Sequence, residues 1–164
     1  MAAWIVEQFP RARVRVENAA IGATGSELAV FRAEQDLIQR GCDVVFVEFA
    51  VNDGGQSPGH RRRTQEGLIR KLLAGQGRDV VLAYAYCQAM YDDMVAERMP
   101  PTVREFEELG QHYGLPSVWM GLHALREVMA GKLRWEQWLP DGLHPGHLGG
   151  RCYAESVIAL LGRE

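Results

Sequence analysis

The stretch from Val44 to Asp53, Val-Val-Phe-Val-Glu-Phe-Ala-Val-Asn-Asp, constrains this chain more than any other. Seven of its first eight residues are apolar and most are β-branched or aromatic, the pattern of a strand buried on both faces of a parallel sheet. The stretch therefore reads as the central strand. Its polar pair, Asn52 and Asp53, stands directly ahead of Gly54-Gly55, so two hydrogen-bonding side chains fall where the strand leaves the sheet. Open α/β sheets bind their ligands at that end of their strands. The same pair also suits a plain turn, because Asn and Asp bond to local backbone and tolerate turn conformations.

The 164 residues, 47% hydrophobic and 24% charged, have the profile of one ordinary globular domain. A net charge of -3, with the cations scattered apart from Arg61-Arg62-Arg63, offers no extended basic face to nucleic acid or to an anionic membrane. That short run reads as the solvated start of a helix. Cys42, Cys87 and Cys152 are odd in number, far apart and without C-x-x-C spacing, which favours neither a disulfide framework nor a zinc site. They read as buried free thiols of a reducing compartment. No apolar run reaches the length of a membrane helix, and Met1 to Pro10 lacks the charged-then-apolar order of a signal peptide. The chain as given is expected in the cytoplasm, with a leader ahead of Met1 left open.

Taken in order, Ala2 to Phe9 has the pattern of the end of an amphipathic helix, stopped by Pro10. Arg13 to Asn18 alternates with a period of two and predicts a strand nearer a sheet edge. After the small-residue loop Ala19 to Gly25, a helix is expected over Leu28 to Ile38, with Leu28, Phe31, Leu37 and Ile38 apolar and Thr24 and Glu27 as a capping box. Arg40-Gly41 ends it. Next come a helix over 62–74, a strand Asp79 to Tyr86, a helix Thr102 to Tyr113 closed by Gly114, a short strand Leu115 to Met120, and a short helix Ala124 to Met129. A loop Trp135 to Gly150 leads into a last helix, Tyr153 to Leu161. Strands alternating with helices imply a parallel sheet with helices on both faces.

The late loop holds Asp141-Gly142-Leu143-His144-Pro145. An acid and a histidine three residues apart in a Gly/Pro-bounded turn can pair through the imidazole Nδ1, leaving Nε2 to take a proton. The alternative is a helix start or a metal pair, since His147 follows three residues on. Zinc needs further ligands, and only Cys152 lies nearby.

Three stretches now stand in order: Asn18-Ala-Ala-Ile-Gly22-Ala23-Thr24-Gly25, Ala50-Val51-Asn52-Asp53 and Asp141-Gly-Leu-His144-Pro145. In sequence and separation they resemble the second, third and fifth blocks of the SGNH, or GDSL, hydrolases, and the resemblance covers nearly the whole chain. It implies an α/β, flavodoxin-like three-layer sandwich with a parallel sheet, and hydrolysis of esters and related acyl groups by a serine nucleophile. It further implies Asn52 as side-chain oxyanion donor, the N–H of Ala23 as the second donor, His144 as general base and Asp141 as its orienting acid. Small esters or acylated carbohydrates are the implied substrates, and no metal or organic cofactor is required.

Two departures stand out. Ala23 and Ala50 occupy positions where the family often has glycine, and a donated N–H at Ala23 survives that change if its φ stays negative. The family's first block, a strand ending in Gly-Asp-Ser, has no counterpart here. Of Ser26, Ser57, Ser117 and Ser156, only Ser26 lies near a proposed site loop, and it reads first as a helix N-cap. The expectation is a single SGNH-like domain shortened by about one strand-turn-helix unit, roughly 30 residues. It would lack the nucleophile and the first strand, and so be inactive alone and prone to associate through exposed sheet edges. The competing reading is a non-catalytic binding module or pseudoenzyme. Its flavin-binding version is weaker, since Gly22-Ala-Thr-Gly25 fits neither a P-loop nor G-x-G-x-x-G. The Trp135 to Trp138 loop and Tyr84, Tyr86 and Tyr91 fit a pocket lining or a core equally well.

Overall fold

Three parallel strands, β1 (Val44–Val47), β2 (Asp79–Ala83) and β3 (Ser117–Val118), form a sheet in the order β1-β2-β3 in the computed structural model, which describes residues 1–75 and 77–162. The register pairs Val44 with Asp79 and Val47 with Leu82 on one side of β2, and Leu82 with Ser117 on the other. The central strand is therefore β2, and β1 is not. Only β2 has a partner along both edges, and from Val80 to Ala83 every residue of it is buried. Along β1 burial alternates: Val45 and Val47 are buried while Val44 is 46% exposed. No strand among the described residues pairs with its outer edge.

The strand expected over Arg13 to Asn18 does not form; those residues are irregular and mostly exposed. A period of two shows that a segment could cover one face, but a strand also needs a neighbour to take its backbone hydrogen bonds. Among the described residues, segment 13–18 belongs to no sheet.

The helices are α1 (Ala2–Gln8), α2 (Ser26–Ala33), α3 (Pro58–Leu73), α4 (Tyr91–Val95), α5 (Pro101–Tyr113), α6 (Met120–Met129), α7 (Trp135–Trp138) and α8 (His147–Leu161). Helix α2 runs on as a π-helical turn over Glu34–Ile38 and the chain then turns at Gly41, whose φ is +68°. Among the described residues no helix is long and apolar enough to cross a membrane. The expected loop over 135–150 is shorter than its composition implied, because Trp135–Trp138 closes a helical turn and α8 starts six residues before Tyr153.

The described residues gather into two compact units: Ile21–Val118, which holds the sheet, and Met1–Ala20 with the segment from Trp119 onward. Within the sheet unit, α2 packs on α3, though not through the face its apolar residues mark. Phe31 is 81% exposed and Leu28 also faces solvent. Contact runs instead through Ser26, whose Oγ lies 2.7 Å from Thr64 Oγ1, and through Val30, whose methyl would sit 3.4 Å from a Cβ placed on Gly67. Small residues let the helices approach, and Lys71 Nζ donates to the Val30 carbonyl at 2.9 Å.

Arg61 is also not a solvated residue. It is buried, its Nε and Nη2 each donate at 2.6 Å to the two carboxylate oxygens of Glu105 on α5, and its Nη1 donates to the Gln56 carbonyl at 2.9 Å. Arg62 and Arg63 are exposed as expected. A planar guanidinium satisfied on both edges is the form in which a buried cation is tolerated. Tyr84 and Tyr86 are core residues, 2% and 1% exposed. In the second unit α8 packs against α6 and α7. There Trp138 is fully buried, with Trp135 stacked on it at a ring separation of 5.1 Å and Tyr153 edge-on at 6.4 Å. All three cysteines are free, but only Cys152 is buried; Cys42 and Cys87 are partly exposed.

Candidate functional site

In the sheet unit, the chain leaves β1 through Glu48 to Val51 into a 3-10 turn over Asn52–Gly55. The two polar residues of that turn have opposite fates. Asn52 is exposed, whereas Asp53 is 0% exposed. Asp53 Oδ1 accepts from the Ser26 backbone N–H at 2.8 Å and from Gln56 Nε2 at 3.1 Å, and Oδ2 accepts from Gln65 Nε2 at 2.9 Å. A carboxylate from across the fold thus serves the first N–H of α2, where helix geometry leaves donors unpaired and favours negative charge. The capping box expected of Thr24 and Glu27 is absent. Thr24 Oγ1 donates to the Ile21 carbonyl at 2.8 Å, and Glu27 pairs with His60 at 2.9 Å. Gly25, the N-cap, lies so close under Asp53 that a Cβ there would stand 2.5 Å from Oδ1.

Ser26 is fully buried, with its N–H on Asp53 and its hydroxyl on Thr64. It is the first residue of α2 and not its cap. Ala23 has φ +58°, so the condition of a negative φ is not met. The backbone keeps the left-handed turn that glycine adopts freely, and the alanine methyl bears the strain. Ala23→Gly is therefore expected to raise stability by up to about 1 kcal/mol, the relief of strain outweighing the greater entropy of glycine in the unfolded chain. Chemical denaturation decides it: a midpoint unchanged or lower than the parent's would mean that the turn stores no strain.

Glu48, at the end of β1, went unnoticed in the sequence although it is the one acid within an apolar run. It is half-buried and accepts from the Ala85 N–H at 3.4 Å. Burial pushes its carboxyl up to about 7, against the pull of the N–H groups of Ala85, Val51 and Ala50. Between the ordinary value of 4.5 and about 7, the folded chain holds a proton that the unfolded chain has lost. Stability on this account falls as pH rises through that window and stays reduced above it. Glu48→Gln should remove the effect, leaving the variant up to about 3 kcal/mol more stable than the parent at pH 8 and little different near pH 4. Melting curves at the two pH values that move in parallel for parent and variant would refute this.

In the second unit, Asp141 and His144 pair as their spacing implied. Asp141 Oδ2 lies 2.7 Å from His144 Nδ1, and Oδ1 accepts the backbone N–H groups of His144 at 2.7 Å and Leu143 at 2.9 Å. Gly142, at φ +82°, lets the loop fold back on the carboxylate. The backbone N–H of His144, then its imidazole, then the N–H of Leu143 hold the Asp141 carboxyl well below the usual carboxylate range. An ionised carboxylate can only accept, so Nδ1 carries the proton, and in the neutral imidazole Nε2 keeps the lone pair. Both side chains are exposed. The loop is anchored behind them: Gly146 N–H donates to the Trp138 carbonyl at 2.9 Å, and a Cβ on Gly149 would meet that oxygen at 2.4 Å. His147 is the exposed first residue of α8, and Cys152 lies with His123 and Glu155 instead.

No protein-family model matches the chain, and no curated protein does. Solved structures do. The chain is 32% identical to a two-domain esterase active on acetylated mannans, with a TM-score of 0.82 over 97% of this chain and 41% of that one. It thus spans about two-fifths of that esterase. An acetylxylan esterase from Geobacillus stearothermophilus matches at 16% identity and TM-score 0.79, over 99% of this chain and 80% of that one. Its catalytic mutants include changes of an aspartate and of a histidine three positions later. A GDSL-like lipase from Parabacteroides merdae matches at 18% identity and TM-score 0.78, over 98% and 79%. With three sequence blocks in order and this α/β fold, the chain resembles the SGNH, or GDSL, hydrolases.

Proposed function

We propose that this chain carries the base and oxyanion donors of an SGNH-type domain that removes acetyl or other small acyl groups from carbohydrate esters. The observation that carries the reading is the 2.7 Å contact of Asp141 with His144 Nδ1, on a loop whose backbone holds the carboxylate ionised. The mannan and xylan esterases among the structural neighbours support the substrate class.

In the proposed reaction a serine hydroxyl attacks the acyl carbon as His144 Nε2 takes its proton. Asp141 stabilises the imidazolium, and Asn52 holds the oxyanion with the Ala23 N–H, which is proposed to donate from the glycine-like left-handed turn at φ +58° that the alanine adopts under strain. The imidazolium returns the proton to the departing sugar oxygen. Water, deprotonated by the same nitrogen, then releases the carboxylic acid and restores the serine. No Gly-Asp-Ser occurs in these 164 residues, and Ser26 is buried and engaged, so the serine is assigned to a strand outside them. The outer edge of β1 is where that strand, or another copy of the chain, would pair.

Acetate release from acetylated mannan and xylan oligosaccharides tests the reading. The 164-residue chain is expected to show no serine-dependent turnover. The same chain joined at its N-terminus to a Gly-Asp-Ser strand-turn-helix segment is expected to turn over and to be inactivated by a serine-directed sulfonyl fluoride. Turnover by the short chain that Ser26→Ala abolishes would overturn the assignment, and an inert extended chain would favour the binding module.

A further inference from the structure

We propose that His123, Cys152 and Glu155 form a zinc site, built by α6 and α8 and independent of the acyl-transfer reading. One ligand atom from each, an imidazole nitrogen, a thiol sulfur and a carboxylate oxygen, lie within 4.8 Å of one another. Cys152 and Glu155 are three apart on α8 and share a face of it. His123 reaches them from α6, which packs on α8.

A second observation concerns the same histidine. His123 Nε2 is buried and has no hydrogen-bond partner, although a buried polar atom is rarely left so and an absent ion is one cause. Cys152, 6% exposed, brings no hydrogen-bonding oxygen or nitrogen of its own. Nitrogen, sulfur and one oxygen are the donor set of zinc, whose sites keep a fourth position for water when the protein supplies three ligands. Calcium and magnesium prefer all-oxygen shells.

Bonds of about 2.0 to 2.3 Å in a tetrahedron set ligand atoms roughly 3.3 to 3.8 Å apart, so the widest separation closes by about 1 Å. Glu155 can supply that movement. It is exposed, and its contact with Arg151 at 4.0 Å is loose, an exposed pair of the kind that holds little energy. Glu127, which also faces Cys152, is tied to Lys132 at 3.2 Å. Binding displaces the thiol proton of Cys152 to solvent and leaves a zinc–thiolate bond. Sequence reading missed the site because it looked to His147 for a partner, whereas His123 lies 29 positions before Cys152.

The test uses the purified chain stripped with a chelator and titrated with zinc, and with cobalt(II) as a coloured substitute. One equivalent is expected to bind, to raise the melting temperature, and with cobalt to give a thiolate charge-transfer band. Both signals should vanish in Cys152→Ser and His123→Ala and persist in His144→Ala and His147→Ala. Because a variant near the core can fail to fold, alkylation of the unaltered chain gives an independent reading: zinc should protect Cys152 and leave Cys42 and Cys87 reactive. Absence of stoichiometric binding, loss of it in His147→Ala, undiminished affinity in Glu155→Gln, or protection of another cysteine would each overturn the site.

Discussion

His144→Ala is expected to lower deacetylation by the chain joined to a Gly-Asp-Ser segment by at least about 10³-fold, with the fold intact. The side chain is 76% exposed and pairs with Asp141, so its removal opens no cavity in the core. Asn52→Ala should cost less, about 10²- to 10³-fold, the usual loss for one oxyanion donor. In the proposed reaction the histidine moves a proton in both half-reactions, whereas the amide stabilises charge beside a second donor. Asp141→Asn should approach the histidine variant, since an amide at that place favours the wrong tautomer. Because Asp141 is held far below the ordinary carboxylate range, the acid limb of kcat/KM should not change on its account. Turnover of His144→Ala within a few fold of the parent would remove the base from the mechanism. Equal losses for Asn52→Ala and Asn52→Asp, with normal KM, would still fit an amide donor.

What the sequence made legible was local. Helix α5 could be read from its Pro100-Pro101 start and its Gly114 stop because those signals act within one turn. The Asp141 to His144 pairing was legible because three residues and a glycine close the ring. What escaped depended on partners far along the chain. Asp53 stands before two glycines and reads as a turn residue, and nothing local shows that Ser26 and Gln65 will bury it. Arg61 looks like its neighbours Arg62 and Arg63, yet only Arg61 meets Glu105, 44 residues away. The alternation of Arg13 to Asn18 was genuine, but a strand is a property of two paired segments, and among the described residues this one joins no sheet. Phe31 marked an apolar face of α2 that small residues replaced in the packing.

Asp53→Ala is expected to cost the sheet unit about 3 to 6 kcal/mol, a large share of the 5 to 15 kcal/mol by which a domain is stable. The change strands the Ser26 N–H and the Gln65 amide in a dry interior, each at about 1 to 3 kcal/mol, and removes the negative charge from the start of α2. It also unties the loop bearing Ala23 from the turn bearing Asn52, the two proposed oxyanion donors, which Asp53 joins through Ser26. Asp53→Asn separates charge from shape. Its Oδ1 can still accept from Ser26, and its NH₂ would face Gln65, whose Oε1 is buried and unpartnered and can turn to accept. The asparagine variant should therefore keep most of the stability that alanine loses. Urea denaturation at constant slope reads both losses. Equal losses for the two variants would show that the charge at the helix start dominates, and a loss below about 1 kcal/mol for alanine would show that water replaces the carboxylate at no great cost.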